Sequence, residues 1–212
     1  EISACLVGSE MCIRDSPYSP VRFKELLVSP NEMKQKFIRL INEEIKNKQA
    51  GKPAYILIKI NHITDPVMVK KLYEASSHGV RIDLLVRGNC SLITGVPGVS
   101  DTIRINGIID RYLEHSRIFI FANGGDEKMF IGSADWMPRN LDNRVEVIAP
   151  VYDPEIKADL KRVVEYGLKD TLQGRVVDGT GENRPWISED KTAFRSQEEL
   201  YKYYLNENRI KD

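Results

Sequence analysis

Hydrophobic residues recur along the chain with two spacings, which predict strands alternating with helices. The longest helical pattern begins after Asn31 and ends before Gly51 and Pro53. Asparagine is common at the start of helices, and glycine and proline commonly end them. The apolar residues of this pattern, three or four positions apart, are Met33, Phe37, Leu40, Ile41 and Ile45. A short strand is predicted just before this helix, within residues 23–30.

The next segment predicts a strand, a helix and a second strand. The run AYILIKIN (54–61) is rich in strand formers, and VRIDLLVRG (80–88) is the second such run. Between them Asp65 is the predicted N-cap of a helix, Pro66 its first residue and Gly79 its end. Such a unit predicts an α/β fold with buried parallel strands.

Four more short strands are predicted after the glycine- and proline-rich loop CSLITGVPGVSD (90–101). They are TIRING (102–107), SRIFIFA (116–122), KMFIGSA (128–134) and NRVEVIAPV (143–151). A helix from about 154 to 172 should follow. The polar, turn-rich stretch from Gly174, which ends in a short helical pattern from Ser196, is predicted to lie outside the core.

Length and charge limit the classes of function. The 212 residues suffice for one ordinary domain, and 31 basic residues balance 31 acidic ones, so any anion-binding site must be local. We therefore expect no nucleic-acid partner. The chain has no apolar run of the roughly 20 residues that span a bilayer, and its three cysteines suggest no disulfide framework. We expect a cytoplasmic location, with membrane association only as part of a complex.

Residues 1–16, EISACLVGSEMCIRDS, lack the basic start and long apolar stretch of a signal peptide. They resemble a translated sequencing adapter. We expect a non-native or disordered leader over 1–16 and one domain over 17–212.

Candidate chemistry is concentrated near the ends of the predicted strands. Alternate residues of a strand share a face, so the side chains of three pairs should project together from three neighbouring strands. The pairs are His115 with Arg117, Ser133 with Asp135, and Arg144 with Glu146. Arg87 ends another strand, where open α/β sheets bind ligands.

Phosphoryl transfer requires such a set, because fixed cations stabilise the charge on the phosphoryl oxygens and histidine can act as acid or nucleophile. Structural roles are the alternative for each residue. His115 could be an isolated polar residue, and Arg87 a solvated strand end. Arg144 with Glu146 could be a surface ion pair worth roughly 0–1 kcal/mol. For His62 and His78 we expect structural roles. For Trp136 and Trp186 we expect packing, with aromatic stacking on a base as the alternative.

Six segments resemble, in order, the last catalytic domain of the polyphosphate kinases over about residues 22–205. They are LLVSPNEM, KINHITDP, LYEASSHGVRIDLLVRGNCSL, GVPGVSDTIRI, RYLEHSRIF and the highly specific SADWMPRNLDNRVEV. The resemblance implies a phospholipase D-like domain with a mixed sheet flanked by helices.

The phospholipase D signature is His-x-Lys followed by Gly-Ser-x-Asn. Here His115-Ser116-Arg117 and Gly132-Ser133-Ala134-Asp135 stand in its place. Arginine thus replaces lysine, aspartate replaces asparagine, and Ala122 stands where the signature aspartate would lie. These departures argue against phosphodiester hydrolysis.

The resemblance also implies a four-domain enzyme that reversibly transfers the terminal phosphoryl group of ATP to inorganic polyphosphate through a phosphohistidine. The phosphorylated histidine and the Mg²⁺ ligands would lie on the preceding phospholipase D-like domain, so no metal ligand is expected in this chain. Arg87 and His115 would contact the phosphates of ATP, with His115 assisting transfer. By geometry alone, Glu146 could orient the His115 imidazole.

The expected partners are ATP or ADP, polyphosphate and the preceding domain, within a homo-oligomeric full-length enzyme. This chain alone should be inactive. Two alternatives stay open: half of a phospholipase D-like nuclease or lipase, and a polyanion-binding module without turnover.

Overall fold

The computed structural model describes residues 23–187 and 192–206, and the predicted leader over 1–16 lies outside them. Eight strands form one mixed sheet in the order β1-β7-β6-β5-β2-β3-β4-β8. The strands are β1 Leu27–Ser29, β2 Tyr55–Ile60, β3 Arg81–Val86, β4 Ile103–Ile108, β5 Ile118–Phe121, β6 Lys128–Gly132, β7 Glu146–Val151 and β8 Gly174–Val176. The helices are α1 Met33–Gln49, α2 Pro66–Ser77, α3 Pro154–Lys169 and α4 Ser196–Asn206.

The strand directions follow from the connections. Strands β2, β3 and β4 are parallel, and α2 makes the crossover between β2 and β3. The other neighbouring pairs are antiparallel. The mixed sheet flanked by helices is therefore as predicted.

Both faces of the sheet are buried, so the central strands are apolar on both sides. In β5, Phe119 and Phe121 pack in the core with α1 and α2, while Ile118 and Ile120 pack in a second core with Val164 of α3. The Phe37 ring of α1 lies 4.8 Å from the Phe119 ring and 5.2 Å from the Trp136 ring. These aromatic contacts fix α1 over the centre of the sheet.

The helix boundaries confirm some predicted caps and correct others. Asp65 caps α2, because its side chain accepts hydrogen bonds from the backbone N–H groups of Val67 and Met68. For α1 the predicted cap Asn31 was wrong: the N-cap is Glu32, whose side chain makes no capping hydrogen bond. The helix predicted over 154–172 ends at Lys169.

The stretch from Gly174, predicted to lie outside the core, is in part an exception to that prediction. Residues Gly174–Val176 form the edge strand β8, antiparallel to β4. The buried carboxylate of Asp170 accepts hydrogen bonds from the backbone N–H and the hydroxyl of Ser196, which anchors the start of α4. No helix of the described residues is long and apolar enough to cross a bilayer.

Candidate functional site

The strand ends that carry the predicted residues meet at one edge of the sheet. Strands β2 and β3 end there, because they are parallel. Strand β5 begins there, since it runs antiparallel to β2. Strand β6 ends at this edge and β7 begins there, each antiparallel to its neighbour. Chain segments far apart in sequence therefore place their side chains together.

A buried ion pair joins Arg117, just before β5, to Asp135, just after β6. The Arg117 Nε lies 3.2 Å from Asp135 Oδ1, and Nη2 lies 3.1 Å from Oδ2. The two side chains are only 11% and 6% exposed. Asp135 Oδ1 also accepts hydrogen bonds from the backbone N–H groups of Asn61, at 3.0 Å, and His62, at 3.3 Å. This bidentate geometry is the strong form of an arginine–carboxylate pair.

The third nitrogen of the Arg117 guanidinium holds His115. Nη1 lies 3.0 Å from the imidazole Nδ1 and donates to the His115 carbonyl oxygen at 2.9 Å. Nη1 also lies 3.4 Å from the imidazole Nε2, so both ring nitrogens of His115 face the guanidinium. His115 itself is exposed. Each of the three guanidinium nitrogens of Arg117 therefore has a partner in this cluster.

The guanidinium of Arg87, unlike that of Arg117, is only partly paired. Its Nε donates to Asn61 Oδ1 at 3.2 Å, and within 23–187 and 192–206 its two Nη groups have no partner. The turn that follows is tight: a Cβ at Gly88 would lie 2.6 Å from His62 Nδ1 and 3.0 Å from the Asn61 carbonyl oxygen. The strand end thus fixes the Arg87 side chain at Nε and leaves its outer fork for a ligand.

Asn61 connects the two arginines and was not predicted from the sequence. Its side chain accepts from Arg87, and its backbone N–H donates to the carboxylate of Asp135 that holds Arg117. The residue is 1% exposed, and its Nδ2 has no hydrogen-bond partner among the described residues. The sequence did contain a signal for Asn61, because it is a polar residue that directly follows the apolar run of a buried strand.

The remaining predicted residues form a separate network. The Glu146 carboxylate accepts from Ser133 Oγ and, at 2.7 Å, from Asn140 Nδ2. The expected contact between Glu146 and the His115 imidazole is absent from the described residues, and so is an ion pair of Glu146 with Arg144. Arg144 is exposed, and its carbonyl oxygen accepts from Ser29 Oγ.

The other histidines and the tryptophans have structural contacts. His62 Nδ1 accepts from the Asn89 N–H at 2.9 Å, and His78 Nδ1 lies 2.8 Å from the Glu74 carbonyl oxygen near the end of α2. Trp136 is fully buried, and Trp186 Nε1 donates to the Leu168 carbonyl oxygen at 2.8 Å.

Among the described residues, this edge offers arginine and imidazole groups but no carboxylate without a partner. The carboxylates of Asp135 and Glu146 already accept hydrogen bonds from neighbouring side chains. The described residues contain no group of three His, Cys, Asp or Glu side chains that could hold a metal ion. Burial raises the pKa of the nearby Cys90 thiol, which makes it a poor nucleophile. The described residues of this chain alone therefore do not fit a magnesium ion, and the edge is suited to an anion.

Comparison with known proteins identifies relatives. Residues 26–197 match the family model described as polyphosphate kinase C-terminal domain 2. The chain is 43% identical over 192 residues to the polyphosphate kinase of Vibrio parahaemolyticus, covering 91% of this chain and 28% of that protein. It is likewise 43% identical over 189 residues to that of Escherichia coli K12, covering 89% and 28%. The chain thus spans less than a third of these relatives.

Solved structures show the same likeness. The crystal structure of polyphosphate kinase from Porphyromonas gingivalis superimposes with a TM-score of 0.86 at 39% identity, covering 96% of this chain and 31% of that one. NucT from Helicobacter pylori superimposes with a TM-score of 0.51 at 15% identity, covering 68% of this chain and 94% of that one. The phospholipase D family member Nuc from Salmonella typhimurium gives 0.50 at 15%, covering 73% and 97%. These two matches confirm the predicted phospholipase D-like fold.

Proposed function

Because this chain belongs to the polyphosphate kinase family, in which it corresponds to C-terminal domain 2, we propose that it provides half of a site for phosphoryl transfer. The reaction is the reversible transfer of the terminal phosphoryl group of ATP to inorganic polyphosphate. It passes through a phosphohistidine on the preceding domain, which also supplies the ligands of Mg²⁺.

The observation that carries this proposal is the state of Arg87. Its Nε is bonded to Asn61 and its two Nη groups are unpaired within the described residues, at the same edge as the exposed His115. An outward guanidinium fork with a fixed base matches two phosphate oxygens in bidentate geometry. Such a group stabilises the charge that spreads over the transferred phosphoryl group.

The proposed roles follow from the contacts. Arg87 binds phosphate oxygens, and the exposed His115, held beside Arg117, assists the transfer. Arg117 and Asp135 position His115 and do not bind substrate, since their polar atoms are already paired. Hydrolysis of phosphodiesters receives less support, because the arginine in place of the signature lysine is fully used in holding Asp135 and His115.

The test uses the full-length enzyme that contains this domain, with labelled ATP, Mg²⁺ and a polyphosphate primer. Arg87→Lys keeps the charge but loses the fork, so we expect kcat/KM for ATP to fall about tenfold or more. Arg39→Lys, an exposed residue of α1, is the matched control. An Arg87→Lys enzyme with the kcat/KM of the wild type would refute the role.

The second arm separates an enzyme from a polyanion-binding module. The 212-residue chain alone is expected to bind polyphosphate without elongating it. Chain elongation by the isolated chain would overturn the assignment of the nucleophile to another domain.

A further inference from the structure

A cleft of about 340 Å³ opens beside Arg87, where β3, β4 and β8 adjoin. Its lining includes Arg87 at the end of β3 and Arg175 on β8. Gln173 and Asn183 are its other polar side chains, and among the described residues no acidic side chain lines it. The cleft therefore carries two positive charges in a protein whose overall net charge is zero, which makes it a local attractor for anions.

The Arg175 side chain, like that of Arg87, is anchored through one of its nitrogens. Its Nη1 donates to the carbonyl oxygens of Gly174, at 2.7 Å, and Leu172, at 3.4 Å. Within 23–187 and 192–206 its Nε and Nη2 have no partner. Both arginines are thus fixed by one group and present their remaining N–H groups to a ligand, which reduces the ordering entropy that binding would otherwise require.

The sheet sets the separation of the two arginines. Arg175 is paired with Gly107 in the β4–β8 ladder, and β4 lies next to β3. Two strand spacings, about 10 Å, therefore separate the backbone of Arg175 from the end of β3. Gly107 also lines the cleft and contributes no side chain between them. Two cations on strands two spacings apart, lining one cleft, suit a linear polyanion better than a single phosphate group.

We infer that this cleft is a second phosphate subsite, which binds units of a polyphosphate chain beyond the unit held at Arg87. The inference rests on the proposed function and adds to it the path of the bound polyphosphate chain. Arg175 has no role in the transfer step itself. Its contribution is to affinity for long chains, through charge-assisted hydrogen bonds and the release of counterions.

The test measures binding to this 212-residue chain by calorimetry, with pyrophosphate, long-chain polyphosphate and ATP as probes. Arg175→Gln should weaken binding of long-chain polyphosphate about tenfold, as expected for a lost charge-assisted hydrogen bond, and binding of pyrophosphate at most twofold. Arg175→Lys should show an intermediate loss. Arg87→Gln should weaken the binding of both ligands. Arg39→Gln, which removes the same charge from α1, should weaken the binding of neither by more than twofold.

Three results would overturn the inference. Arg175→Gln could bind long-chain polyphosphate as tightly as the Arg39→Gln control does. Alternatively, it could weaken the binding of pyrophosphate as much as the binding of long chains. Arg175→Gln could also weaken the binding of ATP while the binding of long-chain polyphosphate is unchanged, in which case the cleft binds the nucleotide. The thermal midpoint and circular dichroism of each variant establish that it is folded. Since these are binding measurements, loss of the proposed function would appear separately, as absent phosphoryl transfer by the full-length enzyme with chain-length-dependent binding intact.

Discussion

Removing the charge of Asp135 tests whether the Arg117–Asp135 pair organises this edge of the sheet. In Asp135→Asn the side-chain oxygen can still accept from Arg117 Nε and from the backbone N–H groups of Asn61 and His62. The guanidinium, only 11% exposed, would lose its counter-charge. Breaking a buried pair in this way costs about 3–5 kcal/mol. We expect a value near 3 kcal/mol, since the hydrogen bond to Nε is kept.

A double-mutant cycle isolates the pair. Arg117→Gln should cost less than Asp135→Asn, about 1–3 kcal/mol, because two backbone N–H groups still satisfy the carboxylate. The double variant should cost less than the sum of the two by at least about 1 kcal/mol, the coupling expected of contacting residues. The free energy of unfolding is measured by urea denaturation of this chain, followed by tryptophan fluorescence.

Glu43→Gln is the control, because the Glu43–Lys46 pair on α1 is exposed at 49% and 68%. Its loss should change the free energy of unfolding by no more than about 0.5 kcal/mol. If Asp135→Asn costs as little as this control, or if the effects of Arg117→Gln and Asp135→Asn simply add, the reasoning about the pair is wrong.

Three other predictions concern neighbouring features. In the full-length enzyme, His115→Ala should lower turnover about 10²–10⁴-fold while acid-labile, alkali-stable phosphate still forms on another histidine, as mapped by peptide mass spectrometry; label on His115 itself would contradict this. Gly88→Ala should cost about 1–3 kcal/mol by overpacking against the His62 ring, and unchanged urea unfolding would show that the turn can relax. Burial raises the pKa of Glu44 above its ordinary value, so its contribution to stability is full below the unfolded-state pKa and is lost as pH rises through the folded-state pKa. Glu44→Gln should remove this pH dependence, and an unchanged pH profile of unfolding would exclude the residue as its source.

Much of the fold was predictable because its strands are buried on both faces. The apolar runs around β2, β3 and β5 stand out from their polar flanks, and Asp65 with Pro66 marks the start of α2 by local chemistry alone. Strand β8 was missed because an edge strand of three residues, Gly174–Val176, has too few positions to show a spacing. The cap of α1 was misassigned, since Asn31 and Glu32 are both polar and only the backbone distinguishes them.

The candidate site was predictable in composition but not in pairing. Spacing along a strand placed His115 with Arg117 and Ser133 with Asp135, and these residues do lie at one edge. The partner of each side chain depends on the sheet order, in which β5 returns to lie between β6 and β2. This order brings Asp135 to Asn61, and it could not be read from any local pattern. For the same reason Glu146, expected near His115, is bonded to Ser133 and Asn140.

The two replacements in the phospholipase D signature are linked by charge. A lysine with a neutral asparagine would leave one positive charge free at this edge, whereas Arg117 with Asp135 leaves none, because the pair neutralises itself and its donors are used internally. An unpaired guanidinium at this edge must then come from elsewhere, and the proposed phosphate ligand is Arg87, whose two Nη groups have no partner among the described residues. Under the proposed function, phosphate would then be bound nearer the end of β3 than the β5–β6 strand ends. Because Arg87 and Arg175 line one cleft, the change in signature would, under the same proposal, also determine where a bound polyphosphate chain leaves the site.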